Sequence, residues 1–113
     1  MNEVFNVLIA EPVRIVAEDI AAEIRSVSEE AIIRLIQPAA ACEVFAADLL
    51  IWGWEMETAE LSARFRALAS KARHVVVTAS VEPADWEFPV LYVPFPARPE
   101  VVRQVVRDAM EIV

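Results

Sequence analysis

The side chains able to do chemistry are few, and their positions limit what that chemistry can be. Three carboxylates, Glu11, Glu55 and Glu57, follow apolar runs that end at Ala10 and Trp52. Carboxylate oxygens are the ligands that a hard divalent cation takes, so a cation site is one expectation and a solvated acidic rim the plainer one. Thr78 closes a further apolar run at residues 75–77 and offers a hydroxyl. His74 is the only histidine, so a nucleophile and base would have to be built around its imidazole. Ligands of open α/β sheets gather outside the carboxyl ends of the strands, whereas His74 enters its strand at the amino end. It is expected to face solvent or make a local hydrogen bond. Cys42, the only cysteine, can form neither an internal disulfide nor a multi-cysteine metal site, and a small buried apolar role is expected of it. Gly53 is the only glycine, which excludes a glycine-rich phosphate cradle and a dinucleotide fingerprint. No catalytic constellation emerges, and neither a cofactor nor a metal is expected.

Apolar periodicity supplies the elements that must position these residues. Nearly continuous apolar runs at 4–10, 49–52, 75–77 and 90–93 are those of strands buried on both faces. Between them the period changes. Val13, Val16, Ala17, Ile20, Ile24 and Val27 fall on one side of a helix, with Pro12 at or just before its first turn, where a missing N–H is harmless. Residues 31–36 read as a second strand, and Arg34 within it suggests a sheet edge. Residues 38–46 read as a short helix. Leu61, Phe65, Leu68, Ala69 and Ala72 give the next helical stripe, and a last helix starts near Pro99. Alternating strands and helices with right-handed crossovers make a parallel sheet covered on both sides. Only residues 79–89 join the fourth strand to the fifth, and Pro83 and Pro89 interrupt them. A parallel crossover needs at least ~10–12 residues, so the fourth helix is expected to be shortened or absent.

The chain of 113 residues, 58% of them hydrophobic, suits one domain over residues 1–113. A formal net charge of −8 argues against nucleic acid, whose binding rests on Lys and Arg neutralising phosphates. The apolar runs are far shorter than the ~20 residues that span a bilayer as a helix. Met1, Asn2 and Glu3 lack the basic start of an export signal, and a cytoplasmic location is expected.

Five parallel strands in a chain of this length suggest the flavodoxin-like group, and particular residues narrow the likeness. Val7, Leu8, Ile9, Ala10 and Glu11 before a helix resemble the first strand of a bacterial two-component response-regulator receiver domain. Asp48, Leu49, Leu50, Ile51, Trp52 and Gly53 are similar to that family's third strand. Val75 to Ala79 resemble the fourth. Tyr92, Val93, Pro94 and Phe95, followed by Pro99 and Glu100, resemble the end of the fifth strand and the start of the last helix. The likeness covers nearly the whole chain and implies a doubly wound sheet of strand order 2-1-3-4-5. Receivers take a phosphoryl group on an aspartate ending the third strand, bind Mg²⁺ with an acidic pair after the first, and carry a Thr or Ser after the fourth and a Lys near the end of the fifth. Here Glu11 stands for the first acidic residue and Thr78 for the hydroxyl. Pro12 occupies the second acidic position, Gly53 the acceptor, Val93 the lysine, and Val90 that of a switch aromatic. Without the acceptor carboxylate no phosphoryl transfer to it is possible, and the resemblance implies a degenerate receiver, or pseudo-receiver.

The aromatics and the last helix bear on what such a domain would do. Trp52 is expected in the core, Trp54 over the emptied site, and Trp86 with Phe88 at an exposed contact. Val101, Val102, Val105, Val106, Ala109, Ile112 and Val113 cover an arc of ~140° on the last helix, wider than the ~100° stripe of one core contact. Part of that face should meet another surface. The resemblance points to the fifth strand and last helix, with Trp86, Phe88, Tyr92, Arg98, Val101 and Val105 as candidate contacts to a protein partner or a second copy. The expected function is a phosphorylation-independent signalling and interaction module, not an enzyme. The alternative is a small-molecule or cation sensor at the carboxyl edge of the sheet, near Glu11, Trp54 and Thr78.

Overall fold

In the computed structural model, which describes residues 4–38, 46–53, 59–80 and 88–111 apart from the side chains of 59, 60 and 111, strands and helices alternate along the chain. They are β1 (Asn6–Ala10), α1 (Arg14–Val27), β2 (Ile32–Ile36), β3 (Ala47–Gly53), α2 (Ala59–Ala69), β4 (Ala72–Ala79), β5 (Leu91–Pro94) and α3 (Pro99–Glu111). The five strands form one sheet in the order β2-β1-β3-β4-β5, and every neighbouring pair is parallel. This is the flavodoxin-like doubly wound fold.

Strand parity divides the core in two. Val7 and Ile9 of β1, Leu49 and Ile51 of β3, Val76 of β4 and Val93 of β5 share one face with Ala17, Ile20 and Ile24 of α1 and Val102, Val106 and Ala109 of α3. Leu8, Ala10, Leu50, Trp52, Val75 and Val77 point the other way, onto Phe65, Leu68 and Ala69 of α2. Both faces of the central strands are therefore dry, which is why those strands read as unbroken apolar runs. Trp52 is fully buried, and its ring centroid lies 5.4 Å from that of Phe65. β2 is an edge strand with Arg34 exposed. Asp48, at the amino end of β3, ties down the bottom of the sheet: it accepts a 2.8 Å hydrogen bond from the Asn6 N–H and faces Arg73 at 3.7 Å.

Two apolar stripes differ from the sequence expectation at their ends. Val13 is the N-cap of α1 and exposed, because the helix begins only at Arg14 and its buried residues start at Ala17; Ala21 takes part in the buried stripe as well. Ala72 opens β4, since the chain leaves α2 through Ser70 and Lys71 and the Lys71 carbonyl already accepts from the Ala47 N–H. Of the short helix expected at 38–46, residues 39–45 lie outside the described residues, as do 81–87 of the connection to β5. Three helices occur among the described residues, and none of these is long and apolar enough to cross a membrane.

α1 and α3 are joined at one point by charge. Arg103 Nη1 donates to Glu23 Oε2 at 2.6 Å, with both side chains about one-third exposed. Solvent screens such a pair, so Arg103→Met should lower stability by only about 0.5–1 kcal/mol, and the loss should shrink in high salt. Urea titrations of both proteins at low and high ionic strength check this.

Candidate functional site

The carboxyl edge of the sheet brings four of the singled-out positions into one lateral row. Gly53 pairs with Thr78, and Thr78 with Val93. Glu11 follows the Ala10–Trp52 pair by one residue and so stands beside Gly53. Counting by twos from Ile9, Ile51 and Val76 sends Glu11, Gly53 and Thr78 to the face covered by α1 and α3. Val93 is buried on that same face.

The central fact of the row is the distance between Glu11 and Gly53. A Cβ built on Gly53 would lie 1.7 Å from Glu11 Oε2 and 2.6 Å from Cδ. Gly53 does not have a positive φ, so its backbone would accept any residue, and a side chain there would require the end of the Glu11 side chain to move. The Glu11 carboxylate occupies the volume that a side chain at 53 would fill. Glu11 is only 5% exposed, and a carboxylate removed from water needs donors. The Val13 N–H, at the N-cap of α1, supplies one to Oε1 at 3.3 Å, where the helix dipole also favours negative charge. Pro12, between them, is half-buried and carries no ligand atom on its side chain.

Thr78 poses the opposite problem. It is 3% exposed, and its Oγ1 has no hydrogen-bond partner among the described residues. Buried hydroxyls are nearly always paired, so an orphan calls for a physical account. Val93, its neighbour in β5, contributes only hydrocarbon to the row.

The remaining candidates scatter. His74 lies opposite Leu49 in the amino-terminal half of β4, half-buried and away from the row. Trp54, Glu55, Glu57, Trp86 and Cys42 lie outside the described residues. Phe88 is half-buried and leans inward, its ring centroid 5.8 Å from that of Phe65. Tyr92 is half-buried and its hydroxyl donates to the Ala79 carbonyl at 3.0 Å. Arg98 is exposed, and its carbonyl starts α3 by accepting from the N–H groups of Val101 and Val102 at 3.0 Å. Val101 is exposed, and Val105 is half-buried in a shallow groove of about 190 Å³ that Leu91, His74 and Asp108 also line. No family model matches the sequence, and no curated protein does so either. Among the described residues, no group of three or more His, Cys, Asp or Glu side chains is placed to hold a metal ion.

One feature of the row was readable and passed over: alternation along β1 and β3 already puts Glu11 and Gly53 on the same face. A cavity of about 370 Å³ between α1 and α3, with Thr78 in its lining, was not readable. It depends on how far apart the two helices stand.

Proposed function

We propose that this chain is a pseudo-receiver: a phosphorylation-independent interaction module of the cytoplasm that works by protein contact or self-association. The observation that carries this reading is the Glu11 carboxylate lying where an acceptor side chain would project from position 53. Gly53 itself offers no nucleophile, and the Glu11 carboxylate that fills its space is buried and held by the Val13 N–H. With Pro12 and Val93 beside it, the row lacks the oxygen ligands for Mg²⁺ and a cation to hold phosphate.

The docking face is the edge formed by β5 and α3. Leu91, Phe95 and Val101 are 52%, 41% and 36% exposed, and β5 has a partner strand on one side only. Apolar side chains along an unpaired edge favour a protein partner or a second copy. The charge of −8 disfavours nucleic acid.

Two experiments test the proposal. Acetyl phosphate with Mg²⁺ should leave the intact mass unchanged, and beryllofluoride with Mg²⁺ should leave the amide spectrum unchanged; a covalent adduct overturns the reading. Sedimentation should show association that weakens in Leu91→Arg. A strict monomer that also captures no partner in pull-downs counts against the module.

A second reading, a small-molecule or cation sensor at the carboxyl edge, is favoured by the unpartnered Thr78 hydroxyl. Thermal-shift measurements with divalent ions and metabolites separate the two, since a ligand at 100 times its Kd adds ~2.7 kcal/mol of stability.

A further inference from the structure

We infer that the occupant of the β5–α3 edge is a second copy of this chain, docked with the two α3 helices antiparallel about a two-fold axis that passes between Val101 and Val105. The inference rests on the docking reading and names its partner. The fold divides the apolar arc of α3. Val102, Val106 and Ala109 are buried in the core that α1 also covers, whereas Val101 is 36% exposed and Val105 half-buried. Val105 lines the shallow groove together with Leu91 of β5, so the uncovered part of the arc turns towards the sheet edge. Arg103, which reaches Glu23 of α1, lies on the opposite flank of the helix.

The ends of the uncovered strip single out a second copy. Arg98, Val101, Val105 and Asp108 follow one another at spacings of three, four and three residues, which keeps them on one side of the helix. The strip is symmetric in position and opposite in charge. Arg98 precedes the midpoint between Val101 and Val105 by as many residues as Asp108 follows it. Turned end over end, the same strip therefore sets Val101 against Val105 of the other copy and Arg98 against its Asp108, twice over. Both charged side chains are exposed. Asp108 accepts a 2.8 Å hydrogen bond from Gln104 Nε2 on its own helix, and Arg98 has no side-chain hydrogen bond or ion pair among the described residues.

A chain of charge −8 repels its own copy at long range, so a copy needs opposite charges set locally against each other. The two symmetry-related Arg98–Asp108 pairs supply them. A parallel arrangement would set Arg98 against Arg98 and Asp108 against Asp108, so the charges also choose the direction. Affinity comes from removing Leu91, Val101 and Val105 from water, and register from the charges. Such an isologous contact closes at two copies.

The test is charge reversal in the full chain, read by sedimentation. Arg98→Asp places two acids together at each end of the contact, and Asp108→Arg places two bases there. Each should weaken self-association about tenfold, because the change is felt at both ends. The double variant restores opposite charges and should associate like the wild type. Mixing the two single variants should do the same, since every charged contact in the mixed dimer then joins an acid to a base. Both positions are exposed, and an aspartate before the first turn and an arginine near the last suit the helix, so each variant should still unfold cooperatively. Single reversals that associate like the wild type, or a mixture that associates no better than its components, overturn the inference. If Leu91→Arg nevertheless disperses the wild type, the docking reading stands and only the pairing of α3 with α3 fails. A wild type that stays monomeric but captures another protein in pull-downs also overturns the inference and keeps the module; with neither, both fall.

Discussion

Replacing Gly53 by aspartate should destabilise the protein by about 3–5 kcal/mol, the range for leaving a charge uncompensated in the interior, and should still give no phosphorylated product. The backbone is not the obstacle, because Gly53 has no positive φ. The obstacle is Glu11, whose Oε2 would stand 1.7 Å from the new Cβ. Glu11 cannot withdraw freely: it is buried, and its Oε1 accepts the hydrogen bond from the Val13 N–H. Gly53→Ala tests the steric part alone and should cost about 1–3 kcal/mol, as overpacking of a dense interior does. Aspartate adds a second anion beside the first, and two carboxylates at such range do not both ionise without penalty. Phosphorylation should remain absent because Pro12 and Val93 still supply neither a metal ligand nor a cation.

The decisive comparison is a double-mutant cycle. Glu11→Ala alone should cost about 1 kcal/mol, through the acceptor lost to the Val13 N–H. Combined with Gly53→Ala, it should recover at least about 1 kcal/mol of the sum of the two single losses, since one substitution empties the space that the other fills. Strict additivity in urea unfolding would show that Glu11 moves aside without cost and that position 53 is not reserved for it.

Much of this architecture could be read from residue types alone, and the reason is the sheet. Runs such as Leu49 to Trp52 and Val75 to Val77 are dry on both faces, so they carry an unambiguous signal, and Arg34 marks an edge because a charge can reach water there. The ends of elements were harder. Nothing local says that α1 begins packing after Val13, or that Ala72 belongs to β4, because those boundaries are set by where the chain meets the sheet. The candidate site divides in the same way. Alternation along the strands locates Glu11, Gly53 and Thr78 on one face, but how far the Glu11 side chain folds over its neighbour is a tertiary outcome. So is the spacing of α1 and α3, which leaves a cavity between them. Phe88 shows a further limit. Irregular chain beside Pro89 has no period from which to infer a facing direction, so an aromatic read as an exposed contact turns out to lean on Phe65.

That aromatic contact carries the second large effect. Phe65→Ala should cost about 3–5 kcal/mol, the range for emptying a fully buried aromatic site, which is a large share of the ~5–15 kcal/mol that holds a typical domain together. Phe65 is 0% exposed, and its ring centroid lies 5.4 Å from that of Trp52 and 5.8 Å from that of Phe88. Trp52 is fixed in the middle of β3, and the void can collapse only by movement of α2 or of the segment that carries Phe88. Phe88 precedes β5, which is bonded to β4 alone, so the weakened region is the edge that presents Leu91. Hydrogen exchange should therefore accelerate more at the amides of β5 than at those of β1, and the association proposed for this edge should weaken in sedimentation although Leu91, Phe95 and Val101 are unchanged. Phe88→Ala, removing a half-buried ring, should cost roughly 1–2 kcal/mol, and the double variant should lose less than the sum because the two rings share one contact. If exchange instead rises uniformly over the sheet, Phe65 supports only the global fold, and the β5 edge does not depend on the packing beneath α2.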